Sequence, residues 1–555
     1  MRYNILIGGA AGQGVDTSGA ILEKLIKKSG YSVFTIKDLM SRVRGGHNFS
    51  LIRFGTEEVN SHSTNIDCII ALNEDTALLH KERLNENGFI LCDETIKTEE
   101  NRVIKIPMKA IAKELGNPRV SGTIAIGAVL KLFGLGIENV EEVLKSSVKE
   151  NYYDVNLKAA IKGYESVEQR FKYTKGNFSD YLLLNGNTSL ALGAIAAGLK
   201  FYCAYPMSPS TSILEYLSSV AKQADILVEQ AEDEIAGINM AIGASFAGAR
   251  AMTGTSGGGF SLKVEALGLS GMAEIPVVVV DVQRPGPTTG LPTRTEQSDL
   301  KFVISASQGE FPRMVIAIKT IKDAFYQTIR AFNMAEKYQL PVIILSDQYL
   351  ADGAASVKPY DLSRVKVYKS GKLEVKDGEY LRYKITKNGV SPRLIPGKTR
   401  NFVTADSDEH DERGWITESA EVRKQMMDKR MRKLEGLKQE LEEPEFFGKS
   451  DADTLLLGWG STYGAIKEAV ELLNLKGNGS YGALLFGDVY PLPTRLLYEK
   501  SKTAKKLINV EQNATGQFAD LIREQTGISC TSRILKYDGR QITAEEIVER
   551  ILKEV

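Results

Sequence analysis

The amino-acid sequence predicts a multidomain α/β protein, and three observations support this fold class. A chain of 555 residues is too long to bury its apolar side chains in one core, so we expect about three or four domains. The continuous, mostly β-branched run at residues 276–282 is typical of a parallel strand buried on both faces. Apolar strand patterns followed by glycine-rich turns and helical patterns recur near the start, the middle and the end of the chain.

The balance of charges argues against a nucleic-acid or membrane partner. The chain has 70 Lys and Arg residues and 70 Asp and Glu residues, so no net charge attracts a polyanion or an anionic bilayer. The four cysteines are far apart, which predicts reduced core thiols rather than disulfides or a metal centre. Met1 leads directly into an apolar strand, and no apolar run is long enough to span a bilayer. We therefore expect a cytoplasmic protein.

Residues 1–175 are predicted to form one α/β domain. A strand at 4–7 enters a glycine-rich turn at 8–15, and a helix follows through Lys28. This strand–turn–helix order could bind a dinucleotide, with Asp38 as the acid that contacts the ribose. The glycine spacing departs from G-x-G-x-x-G, however, so a tight turn without a ligand is an equal alternative.

The stretch 182–300 is the most informative, because several polar or glycine-rich turns follow apolar strands there. These turns lie at 205–211, 229–234 and 255–262, and Arg284 follows the buried strand. The acidic turn is interpreted as the start of a helix whose small residues allow close packing against the sheet. Glycine-rich turns at strand ends, aimed at helix N-termini, are where open α/β sheets bind polar or anionic ligands. The stretch therefore predicts a ligand-binding α/β domain.

The C-terminal part divides into a charged segment and a further α/β unit. Residues 354–450 are rich in Lys and Glu and contain a predicted charged helix at 426–443. The segment 407–412 holds one histidine among acidic residues, which is poor transition-metal chemistry, so we expect a solvated acidic loop. From residue 451 onward, strands alternate with helices. The strands of this unit are predicted at 454–457, 481–486 and 506–510.

The central turns resemble those of 2-oxoacid:ferredoxin oxidoreductases, enzymes that depend on thiamine diphosphate. The family's Tyr-Pro-Ile-Thr-Pro-Ser-Thr turn is matched at 205–211, with Met207 and Ser208 in place of its Ile and Thr. Its Thr-Ser-Gly-Pro-Gly-Phe-Ser-Leu turn is matched at 255–262, with Gly258 in place of its proline. Several long motifs therefore recur in the family's order.

Across the whole chain, the resemblance implies the parts of a fused alpha subunit. The N-terminal glycine turn and the Arg-Gly-Gly segment at 44–46 are similar to those of the family's gamma domain. The implied parts are a gamma domain associated with coenzyme A at 1–175, a thiamine diphosphate pyrimidine-binding domain at 176–353, a charged connecting arm at 354–450 and a transketolase C-terminal-like domain at 451–555. This fused order is commonest in the alpha subunits of 2-oxoglutarate-type enzymes. In the family the C-terminal-like domain usually supports the dimer rather than the chemistry, so the resemblance implies a structural role for Glu511.

The resemblance also implies a catalytic acid near the acidic turn. One carboxyl group should hydrogen-bond N1′ of the cofactor's aminopyrimidine ring, because this bond favours the tautomer whose 4′-imino group takes the proton from thiazolium C2. Alignment of the Ile-Ala-Gly helix with the family's pattern selects Glu234 over Glu229, Glu232 and Asp233. The alternative is that these acids cap the helix and complement its dipole, which we expect for two or three of them.

A substrate site is implied beside the cofactor. Arg284 matches an arginine that lies against the 2-oxoacid carboxylate, and a guanidinium is suited to bidentate binding of that group. Ser208 matches a threonine whose hydroxyl group hydrogen-bonds the carboxylate or the intermediate. The alternatives are an interface ion pair for Arg284 and a turn-stabilising hydroxyl for Ser208. The further residues implied to bind the cofactor or shape its pocket are Tyr205, Pro206, Thr255, Ser256 and Gly257.

For coenzyme A, the resemblance points to the N-terminal domain. Gly12 and Gly14 lie in its glycine turn, and Arg44, together with Arg42 and Arg53, offers positive charge for the phosphates. The alternative is that these arginines face solvent or a partner subunit.

Two motifs of the family are missing from the chain. The sequence has no Gly-Asp-Gly segment with a downstream Asn to bind Mg²⁺ and the diphosphate, and no clustered cysteines to bind an iron–sulfur cluster. The resemblance implies that both belong to a separate beta subunit, with thiamine diphosphate across the alpha–beta interface of an (alpha–beta)₂ heterotetramer.

The implied reaction is CoA-dependent oxidative decarboxylation of a 2-oxoacid with reduction of ferredoxin, or reductive carboxylation in reverse. The fused layout favours 2-oxoglutarate, while pyruvate and branched-chain oxoacids stay open. A non-redox thiamine enzyme and a nucleotide-binding regulatory protein are the other classes that the sequence leaves open.

Overall fold

The computed structural model describes residues 2–41, 46–369, 380–477 and 479–553, so Arg42 and Arg44 lie outside the described residues. The chain forms two compact units. The first comprises Met1–Asn185, Asp352–Tyr360 and Thr543–Glu546, and the second comprises Gly186–Ala351, Asp361–Ile542 and Ile547–Val555. The predicted division into four parts is finer than these units and stays a prediction.

Strands and helices alternate along the chain. Up to residue 185 they are β1 (Arg2–Ala10), α1 (Val15–Lys28), β2 (Ser32–Asp38), β3 (His47–Gly55), β4 (Ile66–Ala71), α2 (Glu74–His80), β5 (Leu84–Asp93), β6 (Val103–Ile106), α3 (Met108–Glu114), α4 (Ser121–Leu132), α5 (Val140–Ser147), α6 (Tyr153–Glu165) and β7 (Leu182–Asn185).

From residue 186 to 357 they are α7 (Gly186–Ala196), β8 (Phe201–Ala204), α8 (Thr211–Ala224), β9 (Leu227–Gln230), α9 (Glu234–Phe246), β10 (Ala251–Thr255), α10 (Gly257–Met272), β11 (Val277–Gln283), α11 (Leu300–Ser305), β12 (Met314–Ala317), α12 (Ile321–Tyr338), β13 (Pro341–Asp347), α13 (Gln348–Asp352) and β14 (Ala354–Val357). The remaining elements are α14 (Ala420–Lys438), β15 (Glu445–Gly448), β16 (Thr454–Trp459), α15 (Tyr463–Lys476), β17 (Tyr481–Phe486), β18 (Asp488–Tyr490), α16 (Arg495–Ser501), β19 (Lys506–Glu511), α17 (Gln517–Thr526), β20 (Ser532–Leu535) and α18 (Ala544–Lys553).

The first unit is built on an eight-stranded mixed sheet with the order β6-β5-β4-β1-β3-β2-β14-β7. The strands β1, β4, β5 and β6 are parallel, whereas β3 is antiparallel to both of its neighbours, β1 and β2. Ile5 and Ile7 of β1 and Ile124 of α4 are fully buried in one apolar core. Because β3 lies between β1 and β2, the neighbouring parallel strands of a dinucleotide fold do not form, and the dinucleotide interpretation with Asp38 is wrong.

The second unit contains a seven-stranded sheet with the order β18-β12-β13-β11-β10-β8-β9. All of its strands are parallel except β18. Every residue of β11 is buried, so the predicted buried parallel strand is confirmed. Because β8, β10 and β11 end at the same edge of the sheet, the three turns that follow them converge there.

A five-stranded sheet with the order β15-β17-β16-β19-β20 completes the second unit. Leu457 of β16 and Phe486 of β17 share one apolar core with Val279 of β11. Glu511 at the end of β19 is fully buried, and its carboxylate accepts hydrogen bonds from the backbone N–H groups of Phe518 and Ala519. These contacts agree with its predicted structural role.

The charged segment before β15 is more buried than the sequence suggested. His410 is fully buried with its ring against Tyr383, and Glu409 binds the guanidinium groups of Arg423 and Arg430. The predicted solvated acidic loop is therefore wrong for these two residues. The basic partners of Glu409 lie on α14, which begins before the predicted start and ends before the predicted end of the charged helix. Within the described ranges, no helix is both long enough and apolar enough to cross a membrane.

Candidate active site

Glu234 is the first residue of α9, and its side chain is buried, with 4% of the residue exposed. Asp233 precedes it in an extended conformation and caps the helix, because its Oδ1 accepts a hydrogen bond from the Ala236 N–H at 2.8 Å. Glu232 is exposed, and Glu229 belongs to β9 rather than to a helix start, so the predicted helix start was placed too early. Of the four acids, one is buried, one caps the helix, and the other two do neither.

The carboxyl group of Glu234 packs closely against a glycine. Its Oε1 atom is buried and has no hydrogen-bond partner among the described residues. A Cβ atom added to Gly259 would lie 2.5 Å from Glu234 Oε1 and 2.2 Å from Thr255 Oγ1. A buried carboxyl oxygen without a partner is costly in a folded protein. The unpartnered oxygen fits a ligand that donates a hydrogen bond to it, as the N1′–H group of the thiamine diphosphate aminopyrimidine would.

Lys263 lies on the same face of α10 as Gly259 and is fully buried. Its Nζ donates hydrogen bonds to the Glu234 carbonyl oxygen at 3.1 Å and to Thr253 Oγ1 at 3.0 Å. Burial lowers the pKa of Lys263 to about 8, although the charge of Glu234 opposes this shift. Lys263 was not predicted from the sequence; the only available signal was its position one helical turn after a glycine.

The predicted substrate residues Ser208 and Arg284 are in direct contact. Arg284 Nη1 donates a hydrogen bond to the Ser208 carbonyl oxygen at 2.7 Å, so the contact uses the backbone rather than the hydroxyl group. Arg284 Nε is buried without a hydrogen-bond partner in the described part of the chain, and burial lowers the pKa of this guanidinium. Ser208 is exposed. This geometry leaves donors of both residues for a carboxylate ligand.

The turn that contains Ser208 is joined to the end of β10. Within the turn, the Ser210 N–H donates to the Met207 carbonyl oxygen at 2.8 Å. Met207 Sδ lies 3.8 Å from Thr255 Oγ1. Tyr205 is 40% exposed and Pro206 is half-buried. The structure therefore brings Met207, Thr255 and Glu234 together, while Tyr205 stays at the surface of the chain.

A second acidic group that the sequence did not indicate lies at the start of α10. Gly257 packs against Asp299, because a Cβ atom at Gly257 would lie 2.4 Å from Asp299 Oδ2. Asp281 is fully buried, and both of its carboxyl oxygens are without a hydrogen-bond partner in the ranges described. Burial and the neighbouring Asp299 raise the pKa of Asp281, and burial together with Glu296 raises the pKa of Asp299 to about 7.

Ser256 is the residue before α10, and it is fully buried. Its Oγ atom makes no hydrogen bond to any described residue. The N-terminus of α10 therefore adjoins Thr255, Ser256 and Gly257, which were all predicted to shape a cofactor pocket. That role stays a prediction.

The first unit contains a pocket of about 750 Å³ beside Gly12 and Gly14. Both glycines have positive φ angles, 93° and 77°, which form the turn between β1 and α1. The basic side chains that line the pocket are Lys109, Arg119 and Lys149. Arg53 is buried, and its guanidinium donates to the carbonyl oxygens of Ser61 and His62, so the structure does not support its predicted contact with a phosphate.

The described residues contain no group of three or more His, Cys, Asp or Glu side chains placed to hold a metal ion. Cys68, Cys92 and Cys203 are buried free thiols, and Cys530 is half-buried.

Two known families match parts of the chain. Residues 4–166 match the family described as "Pyruvate ferredoxin/flavodoxin oxidoreductase". Residues 192–429 match the family described as "Pyruvate flavodoxin/ferredoxin oxidoreductase, thiamine diP-bdg". The second match contains Glu234, Gly259 and Arg284.

Of two relatives, one matches the chain over its full length and the other over about two thirds of it. The 2-oxoacid:ferredoxin oxidoreductase subunit alpha of Sulfolobus sp is 33% identical, and the alignment covers 100% of this chain and 97% of that protein. The 2-oxoglutarate synthase subunit KorA of Methanothermobacter marburgensis is 30% identical over 66% of this chain and 98% of its own length.

A solved structure is similar throughout. The 2-oxoglutarate:ferredoxin oxidoreductase of Magnetococcus marinus, with 2-oxoglutarate, coenzyme A and succinyl-CoA bound, superimposes with a TM-score of 0.94 at 31% identity. The match covers 100% of this chain and 99% of that chain. With its relatives matched from end to end, this chain belongs to the alpha subunits of the 2-oxoacid:ferredoxin oxidoreductases, a family of oxidoreductases.

Proposed function

We propose that the chain is the alpha subunit of a 2-oxoglutarate:ferredoxin oxidoreductase. The observation that carries this proposal is the buried Glu234 carboxyl group, whose Oε1 packs against Gly259 and lacks a hydrogen-bond partner among the described residues. The full-length similarity to the Magnetococcus marinus enzyme supports 2-oxoglutarate as the substrate. The 2-oxoacid anion, coenzyme A and two oxidised ferredoxins give acyl-CoA, carbon dioxide, two reduced ferredoxins and one proton.

Glu234 holds the cofactor's aminopyrimidine ring in this proposal. Bound thiamine diphosphate supplies a nucleophilic carbon at C2 of its thiazolium ring and an electron sink for decarboxylation. Glu234 Oε1 accepts the hydrogen bond from N1′–H, which stabilises a proton at that ring atom. Gly259 provides the space for the carboxyl group, and Thr255 lines the same space.

Arg284 and Ser208 bind the carboxylate next to the oxo group of the substrate. The Ser208 carbonyl oxygen fixes Arg284 through Nη1, which leaves Nε and Nη2 as donors for a carboxylate. The Ser208 hydroxyl group is exposed on the same turn and can donate to the same ligand.

Coenzyme A binds in the pocket of the first unit. The pocket is large enough for part of a nucleotide-sized ligand, and α1 and α4 begin at its wall. Helix N-termini and basic side chains favour phosphate groups. Asp93 also lines the pocket, but its carboxylate already accepts hydrogen bonds from Thr95 and from the Lys109 backbone N–H. Gly12 and Gly14 belong to this site, and Arg44 is proposed to add a charge to it.

A beta subunit completes the enzyme and contributes Mg²⁺, the diphosphate site and the iron–sulfur cluster. An exposed apolar surface near Glu234 supports such a partner. It consists of Ile235 and Met240 on α9 and Leu262 on α10, which are 50%, 43% and 51% exposed. The assembly proposed is an (alpha–beta)₂ heterotetramer in the cytoplasm that passes electrons to ferredoxin.

The test is to purify the chain with its beta subunit under anaerobic conditions and to measure viologen reduction with a panel of 2-oxoacids. We expect CoA-dependent activity that is highest with 2-oxoglutarate. A preference for pyruvate or a branched-chain oxoacid would change the substrate, and thiamine-dependent turnover without viologen reduction would indicate a non-redox enzyme. Nucleotide binding without any turnover would contradict the proposal.

Glu234→Gln should lower kcat by roughly a hundredfold to ten-thousandfold, because an amide cannot hold the ring nitrogen's proton as a carboxylate does. The measurement is the steady-state rate at saturating substrate and cofactor, with the thermal midpoint as the control for folding. Substantial residual activity in a folded variant would exclude Glu234.

Arg284→Ala should raise KM for the 2-oxoacid by roughly tenfold to a hundredfold, since a charge-assisted hydrogen bond contributes about 1.5–3 kcal/mol. The KM for coenzyme A in the same variant serves as the internal control and should not change. An equal rise in the KM for the 2-oxoacid and the KM for coenzyme A would show that Arg284 maintains the structure and does not bind the substrate.

A further inference from the structure

Lys263 carries a buried positive charge next to Glu234. Its Nζ donates to the Glu234 carbonyl oxygen at 3.1 Å and to Thr253 Oγ1 at 3.0 Å, and both acceptors are uncharged. Burial of an ammonium group without a direct ion pair is costly, and a methionine would fill a similar volume without that cost. The position therefore indicates a role for the charge itself.

Two residues of α10 contact Glu234, one at its carboxyl group and one at its backbone carbonyl oxygen. Gly259 and Lys263 lie one turn apart on α10, so they face the same residue. Gly259 leaves space for the carboxyl oxygen, with its hypothetical Cβ only 2.5 Å from Oε1. Lys263 binds the backbone of Glu234, and Asp233 fixes the first turn of α9 through the Ala236 N–H. The backbone around Glu234 is thus held from two sides, while its side chain packs against Gly259.

We propose that Lys263 is a positioning residue for Glu234, which fixes its backbone and stabilises negative charge on its carboxylate. This inference rests on the proposed thiamine-dependent function. A charged carboxylate is the stronger acceptor for the N1′–H group of the cofactor, and a neighbouring cation favours the charged form. Lys263 therefore acts through Glu234 and does not contact the reacting atoms.

The titration of Lys263 gives this role a pH signature. Burial lowers its pKa to about 8, and attraction by Glu234, Cys203 and Asp233 opposes the shift. These are the titratable groups that face Lys263 from α9 and β8, while Thr253 of β10 is neutral. The ammonium group loses its proton as the pH rises through about 8, and its support of the carboxylate is lost. We expect kcat to decline on the alkaline side with a midpoint near that pH.

The test compares Lys263→Arg and Lys263→Met in the thiamine-loaded alpha–beta complex. Arginine stays charged at all accessible pH values, so Lys263→Arg should move the alkaline decline upward by about one pH unit or more. Lys263→Met should lower kcat roughly tenfold, because Glu234 loses its neighbouring cation. Near-ultraviolet circular dichroism of the bound cofactor, recorded against pH, should shift in the same direction and does not depend on turnover.

Lys222→Arg and Lys222→Met are the matched controls, because Lys222 is exposed on α8. Both should leave the pH profile unchanged. An alkaline limb that is identical in wild type and Lys263→Arg would overturn the proposal, and this variant decides the question if Lys263→Met does not fold. A wild-type complex without thiamine-dependent turnover would defeat the proposed function itself. Normal wild-type turnover, an inactive Glu234→Gln and an unchanged Lys263→Arg profile would defeat only the role of Lys263.

Discussion

Gly259 determines how much space the carboxyl group of Glu234 has. A methyl group at this position would lie closer to Glu234 Oε1 and to Thr255 Oγ1 than unbonded atoms can approach, at 2.5 and 2.2 Å. The next residue toward the N-terminus, Gly258, has much more room, since its Cβ would meet only the Thr288 carbonyl oxygen at 3.5 Å. A Cβ atom would therefore clash with Glu234 at Gly259 but would fit at the adjacent Gly258.

Gly259→Ala should weaken binding of thiamine diphosphate by the alpha–beta complex roughly tenfold or more, because overpacking at a buried site costs about 1–3 kcal/mol. Calorimetric titration with the cofactor measures this change. Gly258→Ala is the control, since it makes the same change in helix propensity on the same turn of α10. Equal effects of the two substitutions would show that the space beside Glu234 is unimportant.

Among single residues, the sequence predicts those that belong to motifs and misses those that act through tertiary contacts. Glu234 was selected by the pattern of the helix that follows it. Lys263 and Asp281 carry no such signal, because Lys and Asp in an apolar pattern do not reveal which groups they meet in the fold. The pairing of Asp281 with Asp299 depends on a loop that crosses the end of β11, which no local pattern encodes.

At the scale of elements, α14 is attached to the second unit by a buried ion cluster. Glu274 is fully buried and pairs with Lys429 and Lys433 of this helix. Burial alone would raise the pKa of Glu274, but Lys433 and Lys429 hold it at about 2. A charged helix whose lysines are buried in this way is fixed to the α/β core rather than lying free on the surface.

Glu274→Gln should destabilise the protein by about 3–5 kcal/mol, because two buried ammonium groups lose their counter-ion. Chemical denaturation of the purified complex measures the loss. The pKa of Glu274 is depressed from 4.5 to about 2, so its stabilisation is present above about pH 4.5 and is lost as the pH falls toward 2. The difference between wild type and variant should therefore shrink below pH 4.5. Glu435→Gln, an exposed change on α14, should have little effect at any pH.

The elements themselves were largely predictable. The runs of apolar residues predicted β11 and β17 nearly to their ends, since both strands are buried along their whole length. The environment of His410 and Glu409 was not predictable, because Glu409 pairs with arginines of α14 that lie later in the chain and His410 packs against Tyr383, which lies earlier in it. Composition alone made the segment look solvated.

At the scale of the whole molecule, the two units carry separate candidate sites. The pocket in the first unit has basic side chains and helix N-termini suited to phosphates, and the second unit carries Glu234 and Arg284. We therefore expect substitutions in the first unit's pocket to change KM for coenzyme A, and substitutions at the second unit's site to change KM for the 2-oxoacid.

Arg119→Ala and Lys149→Ala should each raise KM for coenzyme A roughly threefold to thirtyfold, because each removes a charge available to a phosphate. The KM for the 2-oxoacid should not change, and steady-state kinetics with each substrate varied in turn measure both constants. Lys158→Ala on α6 is the control, since this exposed lysine is outside the lining of the pocket. An unchanged KM for coenzyme A in both pocket variants would show that coenzyme A binds outside this pocket.

The general architecture followed from the sequence, but the connections between distant segments did not. Alternating strands and helices with glycine turns predicted α/β units, and the family motifs predicted their order. The return of residues 352–360 to the first unit could not be inferred from the sequence. The strand β14 is short, and no pattern in it predicts which strands it pairs with.

That return has a consequence for how the protein is made. The strand β14 sits between β2 and β7, so β7 joins its sheet only through residues that leave the ribosome about 170 positions later. Until then, the nascent chain carries two unpaired sheet edges, which are templates for mispairing. A gene fragment that stops after β7 should yield an aggregation-prone polypeptide, whereas one that continues past β14 supplies the missing strand.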